Sequence, residues 1–344
     1  MSYLIKSRLA LGIILFTALI FTACGTANPE ASSEVPTSET PEVSETAEKP
    51  QLVATLFPQY DFVREIAGDL VEVSLLLPPG VESHSYEPTP KDIAGITEAD
   101  AFLYTGEVME PWATKIIGNL DGKSVKIVDL SQGITLLAST HNEEGHEGEE
   151  DAHEDEEEGE AAHEEGAYDP HIWLDPNNAK IMVSTLLETL IEIEPENEAV
   201  FRENAEAYLE ELTALDLAFK DLFAKSETQT IYYGGHFVFG YFAKAYGLTT
   251  VSPYDGFSPD AEPTPKRIAD LIDAMDQAKF KVIYYEELVD PKIARLVSQE
   301  TGAEMVLLHG AHNLSKEELE SGTRYLELML QNLEKLKLGM GYRE

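Results

Sequence analysis

The chain has 344 residues, with 24 Lys and Arg against 64 Asp and Glu, and a formal charge of −40 at pH 7. So negative a balance argues against nucleic acid, which is bound through neutralised phosphates, and against broad docking on anionic membranes. The single cysteine excludes an intramolecular disulfide framework and a cysteine-rich zinc module. The length predicts two lobes, and 43% hydrophobic residues suffice for their cores. Nine histidines remain for metal or proton chemistry.

Taken in chain order, Lys6 and Arg8 precede an apolar run over 9–21, which leads into Thr22-Ala23-Cys24-Gly25. A basic start, an apolar stretch of about 13 residues and small residues at its end make a secretory signal. The run is shorter than the ~20 residues a membrane-spanning helix needs. The only cysteine stands at the expected cleavage point, in a segment that resembles the lipobox of bacterial lipoproteins; Phe21 replaces the usual Leu. Residues 1–23 therefore read as a lipoprotein signal peptide and Cys24 as the lipidated first residue of the mature chain. Residues 24–50, rich in Ser, Thr, Glu and Pro, read as a disordered tether. The expected location is extracytoplasmic, lipid-anchored to the bacterial cell membrane.

From Gln51 onward, short β-branched runs alternate with helical periodicity. Strands are predicted at 52–56, 71–77, 101–104 and 126–128, and again at 231–233, 249–251, 282–285 and 304–308. Strands separated by helices imply parallel sheets, four strands to each half. Glu87-Pro88-Thr89-Pro90-Lys91 and Glu262-Pro263-Thr264-Pro265-Lys266 repeat one helix start, with Thr as N-cap and Pro as first helical residue. The fold class is thus α/β: two lobes, each a four-stranded parallel sheet with flanking helices, joined by a long rigid helix. The N-terminal lobe is placed at 51–195, the linking helix at 196–225, after a break at Pro195, and the C-terminal lobe at 226–344. Within the first lobe, residues 141–166 carry 14 acids, no bases and four histidines: His141, His146, His153 and His163. With no apolar period to bury, this is read as a disordered loop. It is a solvated insertion, a local concentrator of metal, or a buffer.

The other five histidines fall where ligands bind. His84 follows the second predicted strand, His236 the fifth, and His309 and His312 the last, and ligands of open α/β sheets bind beyond the carboxyl ends of strands. His171 stands where the acidic loop rejoins the fold. Imidazoles converging from separate loops are a recurrent way to hold Zn²⁺. No His-Glu-x-x-His motif supplies a general base, so the pattern favours holding a metal over using it, and no enzyme activity is expected.

GVESHSYEPTPKDI, DPHIWLDP, GGHFVFGYFAKAYGL and QETGAEMVLLHGAHNLS together resemble the substrate-binding lipoproteins of zinc and manganese ABC transporters, in particular the zinc-uptake branch. The resemblance covers nearly everything from Gln51 to the C-terminus. It implies a metal between two lobes, delivered to a membrane permease and its ATPase by a receptor expected to be monomeric. It also implies His84, His171 and His236 as ligands. At the fourth position, where the family supplies Asp or Glu, this chain has His309-Gly310-Ala311-His312. His312 is taken as the ligand, matching the Glu of some zinc-binding members, with His309 as the alternative. An all-imidazole site suits Zn²⁺ better than Mn²⁺. The competing functions are a metal-dependent surface adhesin, a manganese-binding receptor and, from a third class, a zinc hydrolase.

Overall fold

The computed structural model describes residues 48–120, 122–138, 168–254 and 262–343. The signal segment, Cys24, nearly all of the tether and the acidic loop with its four histidines lie outside them.

The first half runs β1 (Gln51–Ala54), α1 (Phe57–Ala67), β2 (Glu72–Leu75), α2 (Pro90–Glu98), β3 (Ala101–Tyr104), α3 (Pro111–Ile117) and β4 (Lys126–Asp129). Its sheet is all parallel, in the order β2-β1-β3-β4. The central strands β1 and β3 are almost wholly buried, as expected of a sheet covered on both faces. Two helices then cross the molecule: α4 (Pro176–Ile193) and, after a short 3-10 turn begun by Pro195, α5 (Glu198–Ala224). At 1.5 Å per residue the 27 residues of α5 extend about 40 Å.

The second half runs β5 (Thr230–Tyr232), α6 (Gly240–Tyr246), β6 (Thr249–Val251), α7 (Pro265–Gln277), β7 (Val282–Tyr285), α8 (Lys292–Thr301), β8 (Glu304–Leu307), α9 (Lys316–Ser321) and α10 (Tyr325–Met340). Here β5 pairs with β6 and β7 with β8, all parallel. One parallel bridge, Tyr233 to Tyr284, joins the two pairs, and Gly234 N–H donates to Tyr284 O at 2.8 Å. The order β6-β5-β7-β8 repeats that of the first sheet. The repeated Thr-Pro starts behave as predicted: the hydroxyls of Thr89 and Thr264 accept from the amides of Asp92 and Arg267, opening α2 and α7.

One core joins the halves. Buried residues from β1, α1, the 3-10 turn Ile172–Leu174, α4, α5, α6, β7 and α10, among them Phe62, Trp173, Phe219, Tyr284 and Tyr325, form a single apolar cluster. A smaller cluster backs the outer face of each sheet, around Phe102 in one and Ile283 in the other. Polar contacts reinforce the junction: Tyr325 N–H donates to the buried Asp61 carboxylate at 2.8 Å, and Arg324 makes a two-pronged pair with Glu65.

Candidate metal centre

Four loops at the carboxyl ends of strands meet between the sheets. The loop after β2 brings in His84. It is tied to the other half by Gly80 N–H to Leu314 O, 2.8 Å, and by the Asn313 amide, which donates to Pro78 O and Val81 O at 2.8 and 2.7 Å. His171 precedes a 3-10 turn at Ile172–Leu174. Its segment is held by Asp169 N–H to Leu137 O, by Tyr241 O–H to Asp169 O, and by the Trp173 indole, which donates to Gly310 O at 2.8 Å. His236 follows β5 through Gly234 and Gly235. A Cβ at Gly234 would lie 2.7 Å from the backbone of Ala294 in α8, so only glycine lets this loop pass. After β8, Ala311 takes a left-handed φ of 56°, which turns the chain so that His312 O accepts from Phe57 N–H at the start of α1.

His84, His171 and His236 converge. Each offers a ring nitrogen within 4.8 Å of the others, and the Nε2 atoms of His84 and His171 are 3.2 Å apart. Two nitrogens at 2.0–2.1 Å from a tetrahedral zinc would stand roughly 3.3 Å apart, so this spacing fits a shared ion. The His236 ring lies 5.1 and 5.2 Å from the other two, with its Nε2 buried. His312 flanks the trio, its ring centre 6.5 Å from that of His171. His309 faces elsewhere: its ring lies between Glu287 and Glu318, its Nδ1 accepts from Ala311 N–H at 2.9 Å, and its backbone is clasped on both sides by Asn332.

Behind the histidines stand carboxylates that the sequence reading did not single out. Asp169 Oδ1 is 2.8 Å from His171 Nδ1, and Glu286 Oε2 is 3.0 Å from His236 Nδ1. Each fixes its ring with Nε2 toward the common point, as carboxylates behind metal-binding histidines do. Asp169 had a signal, two residues before His171; Glu286 sits at the end of β7, where the strand-end rule that located the histidines also applies. Burial, together with the neighbouring imidazoles, holds His84 and His171 well below the usual histidine range, so both are neutral and present a lone pair. Burial pushes Asp169 up to about 7; a dication beyond His171 would favour its ionised form. For Glu287 burial raises the carboxyl, but His309, His312 and Gly310 N–H together outweigh it and the net direction is down.

A groove of about 840 Å³ between β4 and α4 lies elsewhere. It contains no histidine, and its Lys126 is paired with Glu192, so its chemistry does not suit a metal.

The profile of the family described as zinc-uptake complex component A, periplasmic (ZnuA), matches residues 52–339. The high-affinity zinc uptake system protein ZnuA of Bacillus subtilis is 35% identical over 332 residues, 96% of this chain and 97% of its own. The zinc-binding lipoprotein AdcA of Streptococcus pneumoniae is 37% identical over 291 residues, 84% of this chain but 55% of its own length. The Zn(II)-bound ZnuA-like domain of AdcA superposes with a TM-score of 0.69 at 32% identity, covering 85% of this chain and 99% of the domain. The laminin-binding protein Lmb of Streptococcus agalactiae, described as having adhesin and metal-transporting activity, gives 0.71 at 26% identity, covering 85% of this chain and all of the other. With a family match across most of its length and a full-length relative above 30% identity, the chain belongs to the ZnuA family of zinc-uptake components.

Proposed function

We propose that the protein is an extracytoplasmic zinc receptor. It captures Zn²⁺ at the Nε2 atoms of His84, His171, His236 and His312 and hands it to the permease and ATPase of an ABC importer. The observation that carries this reading is the convergence of three imidazoles, two of them backed by carboxylates. Nitrogen donors select zinc over manganese, which prefers oxygen. Four protein ligands would leave no open position for a reactive water, so the site suits carriage better than hydrolysis. In the same reading the protein works as a monomer tethered through acylated Cys24, and Cys24→Ala releases it from washed membranes.

The test is metal analysis of the tether-free protein after exposure to equimolar Zn²⁺ and Mn²⁺. One tightly held zinc is expected, lost on replacing His84, His171 and His236 by Ala. Retained manganese, or zinc binding that survives the triple replacement, would refute the assignment. Deleting residues 141–166 should leave that tight ion in place and remove only weaker binding; loss of the tight ion would make the loop histidines primary ligands.

A further inference from the structure

We propose that Glu287 is the positioning residue for His312, closing on its Nδ1–H when a metal occupies Nε2 and supplying the negative charge that an all-imidazole ligand set lacks. The inference rests on the zinc reading above and deepens it at the fourth ligand.

Glu287 Oε1 and His312 Nδ1 are both buried, lie 3.5 Å apart, and have no hydrogen bond among the described residues. A buried polar atom without a partner costs on the order of 1–3 kcal/mol, and two complementary ones this close need an explanation. Oε1 has another neighbour, His309 Nδ1 at 3.4 Å. That nitrogen already accepts from Ala311 N–H, which places the His309 proton on Nε2, toward Glu318. His312 Nδ1 is therefore the proton donor left for Oε1. A shift of roughly 0.6 Å, to an ordinary hydrogen-bond length, would bring them together and leave His312 Nε2 for the metal. The other carboxylate oxygen, Oε2, is held by Gly310 N–H at 2.7 Å, so the carboxylate is anchored on the same loop.

Backbone strain marks the same place. Among the described residues, two other than glycine have a left-handed φ: Leu288, next to Glu287, and Ala311, next to His312. Such conformations cost about 1–3 kcal/mol each and collect at functional sites. The completed pair would repeat the Asp169–His171 and Glu286–His236 arrangements. It sets a carboxylate one imidazole away from the metal, in place of the carboxylate ligand implied by the family resemblance.

The experiment is zinc titration against a competing chelator for the wild type, Glu287→Gln, His312→Ala and the double variant. Glu287→Gln should bind zinc about 10–100-fold more weakly. The double variant should be no more than about threefold weaker than His312→Ala, because the two residues act as one unit. An unchanged Glu287→Gln, or losses that multiply, would overturn the proposal. Failure of the wild type to bind zinc would instead overturn the function proposed above. A second measurement uses the zinc-loaded wild type and so does not depend on the variant folding. Nitrogen-15 NMR should show His312 metal-bound at Nε2 with its proton on Nδ1; metal at Nδ1 refutes the pairing. In Glu287→Gln the His312 Nδ1–H resonance should move while those of His171 and His236 stay.

Discussion

At the scale of single residues, His309 and His312 lie three positions apart yet face different surroundings. Both follow β8, and the sequence favours His312 without fixing where either ring points, because direction depends on the turn between. Ala311 settles the geometry: its left-handed φ sends His312 back beneath α1 while its amide locks the His309 ring. His312→Ala should therefore weaken zinc markedly, whereas His309→Ala should cost about 10–100-fold through loss of support; a larger loss for His309→Ala in parallel chelator titrations would reverse the roles. The pH response belongs at this scale too. An unperturbed histidine would release zinc below about pH 6.5, but burial depresses His84 and His171, so the fall in affinity should begin at lower pH. In the metal-free protein both are neutral when folded and take up protons when unfolded near 6.5. Their contribution is present above that value and lost as pH falls through the depressed folded value. Thermal unfolding of the metal-free protein should show a decline below pH 6.5 that is smaller in His171→Gln.

Among the elements, every predicted strand exists, because β-branched runs between helices leave little else for a parallel sheet to be. The ends differ where side chains intervene. Strand β1 was expected to reach Leu56 but stops at Ala54, since Gln59 Oε1 accepts from the amides of Thr55 and Leu56 and starts α1 instead. Histidine positions were legible because the ends of strands are; the pairing of Glu286 with His236 was not, since the two meet across 50 residues of chain. Two changes test the elements. Gly234→Ala would drive a Cβ into α8, so it should displace the His236 loop and lower zinc affinity by more than tenfold, on the order of 1.4 kcal/mol or more; unchanged titrations would show that the loop yields. Glu110, at the start of α3, is buried and accepts from the Thr55 hydroxyl and the Thr105 amide. Burial pushes its carboxyl up to about 8 despite those bonds. The folded state thus favours the acid form, and its contribution fades as pH rises from the usual glutamate value toward 8. The melting temperature of the metal-free wild type should drop between about pH 5 and 8 more steeply than that of Glu110→Gln; parallel curves would show that Glu110 contributes nothing to the pH dependence.

For the whole molecule, the repeated order of strands, β2-β1-β3-β4 and β6-β5-β7-β8, gives each half a parallel sheet whose carboxyl-end loops carry histidines. The continuous core around Trp173 and Tyr325, the long α5 and the Arg324–Glu65 pair leave little room for a wide hinge. The stitching of the loop after β8 to the opposite half, through Phe57, Pro78, Val81 and Gly80, bears on the rate at which the fold comes apart. His84, His171 and His236 come from both halves, so they can meet only once both sheets have formed and this seam has closed. An ion that grips them stabilises the final state and hardly touches the barrier on the folding side. Zinc should accordingly leave the refolding limb of a denaturant chevron almost unmoved and displace the unfolding limb downward by most of the gain in stability. Acceleration of refolding by zinc would mean that the centre assembles early, ahead of the seam. A receptor built this way resists unfolding for as long as its cargo is in place.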